Sequence, residues 1–442
     1  MSQTKPKNIL WKIHNWTGLY VGIVIAVLSL TGALAVFIPE IDHLLEARYH
    51  QIDKGENYTD VAVMLSNLQS QYPGFVLLNI VPPQKPDRAL VFDFYNPNGI
   101  LGSSRYRIFA DPYTGEILAV KDHLNSLVNF LRQVHVRLLD GWYGRQLVGL
   151  AGLGLALTCI TGLLIYGKFM KKQLFGTIRQ GRGIRILMAD WHKLIGMAAL
   201  LFNLGIALTG AWLGLQPKLM SWLDIKIPNN YKRAEIPISA DEDKGASFDY
   251  YGFLEKSRAS IPGFHPVMVI PSVDGSQSVE IRGDLAGLPI EPHINKVVLD
   301  KKSGAVLFAY DIRDQEWGHW LYFLQEGLHF GRFGGLGLKI AYALLALTSG
   351  FLSISGFVIY LSRKKGKQVQ SSMALKKTIV FTLYGIGVLI ILGFGSVWVG
   401  YVYMSVLVTP LVYLTLVGIL VYSGIKMVKK RMKKHSIYKT KV

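Results

Sequence analysis

The sequence predicts an α-helical integral membrane bundle of six spans, a parallel internal repeat of helix–domain–helix, with two small α+β domains outside the membrane. Three observations predict it. Six apolar runs are each long enough, at roughly 20 residues, to cross about 30 Å of hydrocarbon. Short basic segments lie beside them without a single acidic residue. Residues recur at fixed offsets over most of the chain.

The composition agrees. Half of the 442 residues are hydrophobic and 17% are charged, against about 25% charged in a soluble domain. That deficit and a mean hydropathy of +0.30 exclude disorder and argue against a purely soluble enzyme. The net charge of +19 resembles a nucleic-acid signal until it is mapped. Residues 1–14, 168–188, 362–377 and 426–442 hold three, six, six and eight Lys or Arg with no Asp or Glu. The other 25 basic residues face 29 acids, so the rest of the chain carries −4. This is the positive-inside signature of a membrane protein, and it needs no nucleic-acid partner.

The elements follow in order. Residues 1–38 hold a basic N-terminal segment and span one, from about 14. Pro39-Glu40 follows in place of a small-residue cleavage site, so the span reads as an uncleaved anchor. Residues 39–142 form a first outer domain and a membrane-edge helix. Within them 59–71 carry a Thr cap and helical spacing, and 75–95 and 105–120 alternate as strands. Span two covers 143–167, a basic loop 168–191, and span three 192–215. Residues 216–333 form a second outer domain, with the same pattern at 247–260, 265–283 and 294–310. Span four covers 334–361, a basic loop 362–376, a two-span hairpin 377–425, and a basic tail 426–442. With the N-terminus inside, every basic segment falls on the cytoplasmic face, both termini are cytoplasmic, and both polar segments lie outside.

Self-comparison organises the chain. Pro73-Gly74-Phe75, Pro82 and the stretch Asp111-Pro-Tyr-Thr-Gly115-Glu-Ile-Leu recur, offset by 189, as Pro262-Gly263-Phe264, Pro271 and Asp300-Lys-Lys-Ser-Gly304-Ala-Val-Leu. The second stretch is a strand, a tight turn that needs Gly, and another strand. His14, Gly18 and Thr31-Gly32 recur at offset 178 as His192, Gly196 and Thr209-Gly210. His135, Thr161-Gly162 and Tyr166 recur at offset 194 as His329, Ser355-Gly356 and Tyr360.

Four histidines therefore occupy matched places. His14 and His192 lie near the inner ends of spans one and three, and His135 and His329 at the outer ends of spans two and four. Ionisable residues at such depths are functional candidates. The bland reading is a set of snorkelling interfacial imidazoles beside Trp11, Trp16 and Trp191. Two imidazoles facing across a bundle suit a low-spin haem iron. Zinc would want three or four ligands, and a proton relay would want carboxylates that the spans nearly lack. The lone Cys159 excludes a disulfide framework, an iron–sulfur cluster and a Cys-rich zinc site, and the absence of C-x-x-C-H excludes covalent c-type haem.

Gly18 and Gly196 sit one turn beyond their histidines on the same face, leaving room for the edge of a flat ligand. Gly32 and Gly210 are expected near the outer level, and Gly162 and Gly356 near the inner one, clearing space for the other pair's macrocycle. Helix packing by small residues explains the glycines equally well. Propionate partners would be Arg137, Arg145 and Arg332 outside, and Lys12, Lys193 and Arg185 inside, although ordinary interfacial snorkeling explains these cations equally well. Lys12 reads as a snorkeler. His43, His50, His123, His265, His293 and His319 fall in the outer domains, and His435 in the solvated tail.

The His14-x-x-x-Gly18…Thr31-Gly32 motif, its copy at 192–210 and the D-P-Y-T-G-E-I-L turn resemble the PepSY-associated transmembrane helix family. Within that family the pattern is similar to bacterial inner-membrane ferrisiderophore reductases, over about residues 8–365. The resemblance implies b-type haem in the bundle, two per chain, with His14, His192, His135 and His329 as iron ligands. It also implies PepSY-like periplasmic domains and delivery of electrons to ferric iron outside the inner membrane.

The function expected is thus a di-haem electron conduit. Its partners are membrane lipid, a ferric chelate or ferrisiderophore on the periplasmic side, and an external donor, either a quinol or a cytoplasmic reductase. No nicotinamide or flavin motif is present to supply electrons from within the chain. Two rivals are an iron or siderophore transporter and a non-catalytic PepSY anchor that binds or regulates a periplasmic partner.

Overall fold

The computed structural model describes residues 6–50, 52–98, 104–139, 141–170, 175–228, 248–271, 277–364 and 380. The expected hairpin at 377–425 and the basic tail lie outside these residues, apart from the single position 380.

Among the described residues, four helices are long and apolar enough to cross a membrane: Ile9–Ala35, Gly141–Gly167, Leu200–Leu223 and Arg332–Ser362. They belong to α1 (Pro6–Ala35), α5 (Gly141–Met170), α7 (Leu200–Leu223) and α10 (Gly335–Lys364). Helix α1 packs on α10 and α5, and α5 on α7. The α5–α7 seam is built from small residues. A Cβ on Gly152 would stand 2.8 Å from the Ala211 amide nitrogen and 2.9 Å from the Ala207 carbonyl oxygen. Only glycine permits that approach, and close backbones are what hold helices together where lipid is as apolar as leucine. The outward faces carry Leu201 (84% exposed), Ile23 (67%) and Leu344 (63%), a surface that fits hydrocarbon and not water.

Span three differs from expectation. The segment 192–215 is not one helix. His192 sits on α6 (Ile184–Ala198), and the apolar helix α7 begins after a break at Ala199, whose φ −100° and ψ 11° leave the helical region. No Gly or Pro marks this break, so the hydropathy pattern runs through it.

The polar segments fold together. Helix α2 (Ile38–Glu46) leads from α1 to α3 (Val61–Gln71) and strands β1 (Val76–Val81), β2 (Leu90–Asn96), β3 (Ser104–Ala110) and β4 (Ile117–Asp122). The short helix α4 (Leu127–Arg137) returns to α5. After α7 come α8 (Tyr250–Ser260), strands β5 (Phe264–Pro271), β6 (Ser278–Leu285), β7 (Asn295–Asp300) and β8 (Val306–Tyr310), and α9 (Trp317–Phe330), which returns to α10. The repeated turn forms in both places. Asp111 Oδ1 accepts from Tyr113 N at 2.7 Å, and Asp300 Oδ1 accepts from Ser303 N at 2.7 Å. Gly115 and Gly304 follow at φ +78° and +66°, where a side chain would strain the backbone.

The eight strands make one antiparallel sheet in the order β4-β3-β2-β1-β5-β6-β7-β8. The expectation of two separate small domains is corrected here. Strands β1 and β5 pair at Ile80↔Val269, so the two halves share a sheet. They also share a core. Helices α3 and α8 cover one face, and Phe92, Phe94, Ile108, Val269, Ile281 and Val297 beneath them are fully buried in a single cluster. The physical reason is that each four-stranded half would leave an inner edge unpaired, and a merged core buries a larger share of its surface than two small ones. Phe323 of α9 joins that core, which ties the sheet to the bundle.

Candidate functional site: two facing histidine pairs

The four matched histidines meet in two pairs. His14 of α1 faces His192 of α6, with ring centres 6.3 Å apart and planes at 83°. His135 of α4 faces His329 of α9 at 6.2 Å and 40°. Along α1, His14 and the Thr31 that touches His135 are 17 residues apart, about 26 Å at 1.5 Å per residue. One pair lies at the end of the bundle away from the sheet, and the other beside it.

Each imidazole is held in the same way. The Nδ1 atom of His14 lies 3.1 Å from Thr161 Oγ1, that of His192 2.9 Å from Ser355 Oγ, that of His135 3.2 Å from Thr31 Oγ1, and that of His329 2.9 Å from Thr209 Oγ1. Every one of these hydroxyls already donates within its own helix. Thr161 donates to Leu157 O (2.6 Å), Ser355 to Leu352 O (3.1 Å), Thr31 to Val27 O (2.8 Å) and Thr209 to Gly205 O (2.8 Å). A hydroxyl has one proton, so towards the imidazole it can only accept. With each hydroxyl proton kept on its own helix carbonyl, Nδ1 is the donor and the Nε2 lone pair is available. This is the tautomer of a metal-ligating histidine, fixed by an outer partner.

The glycine after each hydroxyl residue completes the device. A Cβ would meet the histidine Cε1 at 2.8 Å on Gly32, 3.0 Å on Gly210, 3.2 Å on Gly162 and 3.5 Å on Gly356. These four glycines make room for the imidazoles themselves, not for a neighbouring macrocycle as the spacing alone led one to expect. Histidine and cradle sit on different helices, so the contact is invisible along the sequence. Gly18 has open space where a Cβ would point, and a Cβ on Gly196 would meet only Leu352 at 3.5 Å.

His14 and His192 line a cavity of about 800 Å³ with Gly18, Gly196, Leu155 and Leu352 on its walls. Cofactor-sized ligands occupy pockets of this order. At one end lie Gly176, Thr177 and Arg179 from the 168–191 loop, with Tyr166 and Lys193. Asp190, one turn from Lys193 on α6, has a fully buried side chain. Its carboxylate accepts from Arg179 N (3.1 Å), Nε (2.9 Å) and Nη2 (2.8 Å) and from Lys193 Nζ (2.8 Å). Those bonds hold the Asp190 carboxyl far below the usual carboxylate range, with Arg179 the largest cause. Sequence reasoning passed over Asp190, because one acid in a basic loop has no periodic signal.

The expected propionate partners fare unequally. Arg145 spends its guanidinium on the Leu213 carbonyl at 3.0 and 2.7 Å, with Gln216 Oε1 at 3.4 Å. Arg332 lies over the Phe330 ring at 4.8 Å, beside the His329 helix. Arg137 is in the last turn of α4, two residues beyond His135. Near them Glu291 and Glu326 share a half-buried region. Burial, with Glu326 as the neighbouring charge, pushes the Glu291 carboxyl up to about 7. Of the other histidines, His293 lies 3.2 Å from Asp284, and His319 Nδ1 2.8 Å from the Tyr310 hydroxyl. His435 is outside the described residues.

Comparison with known proteins gives a family and one distant relative. The relative, uncharacterized protein PA4219 of Pseudomonas aeruginosa, is 26% identical over 255 residues, covering 54% of this chain and 64% of its own length. The chain thus spans just under two thirds of the curated relative it matches. The PepSY-associated TM region family matches residues 11–363, a stretch that contains all four cradled histidines, both ends of the sheet and the four apolar helices, and the chain belongs to that family.

Proposed function

We propose that this protein is a di-haem b oxidoreductase of the bacterial inner membrane, which carries electrons across the bilayer to reduce ferric iron outside, as a ferrisiderophore or similar chelate. One observation carries the reading: four imidazoles, each with its Nδ1 against a helix hydroxyl, stand ring to ring in two pairs. A metal–imidazole nitrogen bond is about 2.0–2.1 Å and a ring nitrogen lies roughly 1.1 Å from its ring centre, so two imidazoles on one metal have centres about 6.3 Å apart. The observed 6.3 and 6.2 Å match that span. Each pair would offer two imidazole donors to a haem iron, and the cavity of about 800 Å³ beside His14 and His192 is of cofactor size.

Bound there, haem supplies reversible one-electron transfer. The chain's own residues supply the rest. Thr161, Ser355, Thr31 and Thr209 fix the ligand tautomers and raise their basicity. The glycines let the rings reach position. The apolar walls keep water from the sheet-distal pair and from the iron that it would hold. In the proposed topology six spans include the hairpin at 377–425, both termini are cytoplasmic, and the two repeated halves place the sheet in the periplasm. There a hard-oxygen ferric chelate would lose its grip on iron once reduced. Electrons come from outside the chain, from quinol or a cytoplasmic reductase.

The test is an absorption spectrum of detergent-purified protein, oxidised and dithionite-reduced, with acid–acetone extraction. The expected result is non-covalent b-type haem close to two per chain. Complete absence of haem after expression with adequate supply defeats the proposal.

A further inference from the structure

One end of the sheet-distal cavity is lined by a segment of the loop that follows α5. Residues 175–183 run across it and contribute Gly176, Thr177 and Arg179 to its wall. The segment is shaped by three left-handed glycines, Gly176 (φ +71°), Gly181 (+72°) and Gly183 (+84°). A Cβ on Gly176 would stand 3.2 Å from the Tyr166 hydroxyl, so the segment lies directly on α5. Its tie to α6 is Asp190. Three of that carboxylate's four bonds go to Arg179, one of them from the backbone amide, so the loop itself is gripped as well as its side chain. A fully buried carboxylate bound to one guanidinium edge and one ammonium is a strong, geometrically specific contact. Opening it would exchange three charge-assisted bonds for water.

We propose that residues 175–183 form a latch over the mouth of this cavity and that Asp190 is the positioning residue that keeps it shut. The inference rests on the reading that the cavity holds the sheet-distal cofactor, and it adds how that cofactor is guarded. With the latch closed, water and small solutes do not reach the His14–His192 pair. An electron donor acts across the latch, not by entering the cavity.

The protein carries its own reporter. Cys159, its one cysteine, is half-buried and lines the same cavity. Full-length protein in lipid nanodiscs is exposed to a charged, water-soluble maleimide, and labelling of Cys159 is followed by mass spectrometry. Asp190→Asn and Arg179→Gln should label about tenfold faster than wild type or more, because each removes charge-assisted bonds that oppose local opening. Arg179→Lys, which keeps a cation for the carboxylate, should recover most of the protection. A general loosening of the fold would not be repaired that way. The Arg179 side chain is 47% exposed, so its replacement leaves the core alone and decides the question even if Asp190→Asn fails to fold. Wild-type labelling as fast as Arg179→Gln overturns the latch. Haem absorbance is read on the same samples. Loss of all haem with the labelling contrast intact defeats the conduit and spares the latch, whereas equal labelling with haem intact defeats the latch alone.

Discussion

The two histidine pairs use one device on two kinds of support. At the sheet-distal end, His14 rides on the long helix α1 and the cradles Gly162 and Gly356 stand 3.2 and 3.5 Å from the rings. At the sheet-proximal end, both histidines sit on short helices, α4 and α9, and the cradles Gly32 and Gly210 close to 2.8 and 3.0 Å. Helix α9 is pinned to the sheet twice. Phe323 is buried in the sheet core, and a side chain on Gly327 would collide with the Pro289–Ile290 backbone. The difference teaches where each site takes its rigidity. One pair is held by the bundle, and the other is held tightly between the bundle and the folded domain, so disturbance of the sheet should reach the second pair first.

The largest expected effect breaks both sites. A His14→Ala, His135→Ala double variant should lose both haems, while either single variant loses one of two and keeps the other, as read by pyridine haemochrome content. Retention of one full haem by the double variant would show that the partners are paired differently. Next comes a contrast between cradles. Gly32→Ala should remove or displace the sheet-proximal haem, since a Cβ at 2.8 Å forces His135 to move, and Gly356→Ala at 3.5 Å should leave the spectrum near wild type. Equal effects of the two would mean that the tighter support is not real.

Phe323→Ala should cost about 3–5 kcal/mol of stability for a large buried aromatic. Its sharper readout is selective loss of the sheet-proximal haem on mild heating, ahead of the other. Removing a hydroxyl should matter less than removing a ligand. Thr161→Ala should weaken haem retention about 10–100-fold, the usual cost of an outer partner, and Thr161→Ser should restore it in a haem-transfer assay to apomyoglobin.

The smallest effect follows from Glu291. Its carboxyl is raised to about 7 in the folded chain, above the ordinary value near 4.3. The folded state therefore binds more protons than the unfolded state between those values. Stability present below pH 4.3 is lost as pH rises towards 7, by an amount on the order of 1 kcal/mol after solvent screening. Glu291→Gln should flatten thermal stability across that window, and an unchanged slope would remove Glu291 from the account.

The four paired histidines were legible because two offsets, 178 and 194, put histidines in step with hydroxyl–glycine pairs. The use of those pairs was not. Thr31 and His135 are 104 residues apart, and only helix packing reveals that one cradles the other. The strands were legible from alternation and turn chemistry, but alternation carries no record of which edge meets which, so the β1–β5 joint stayed hidden. The break at Ala199 was hidden for the opposite reason: its residues are as apolar as their neighbours. Asp190 shows a further limit, since the sequence gives its charge and not the buried grip on a loop eleven residues back.

Ile80 pairs with Val269, its own counterpart at offset 189. His14 likewise faces its counterpart His192, and His135 faces His329. Three times over, equivalent residues meet each other, which is the defining property of an isologous contact. A chain of half this length could build the same sheet and the same two sites by pairing with itself. Each site then lies where the two halves meet, presented with like groups from either side. Such an arrangement has no left or right to choose between. Any difference between the two sites must come from what one half has and the other lacks.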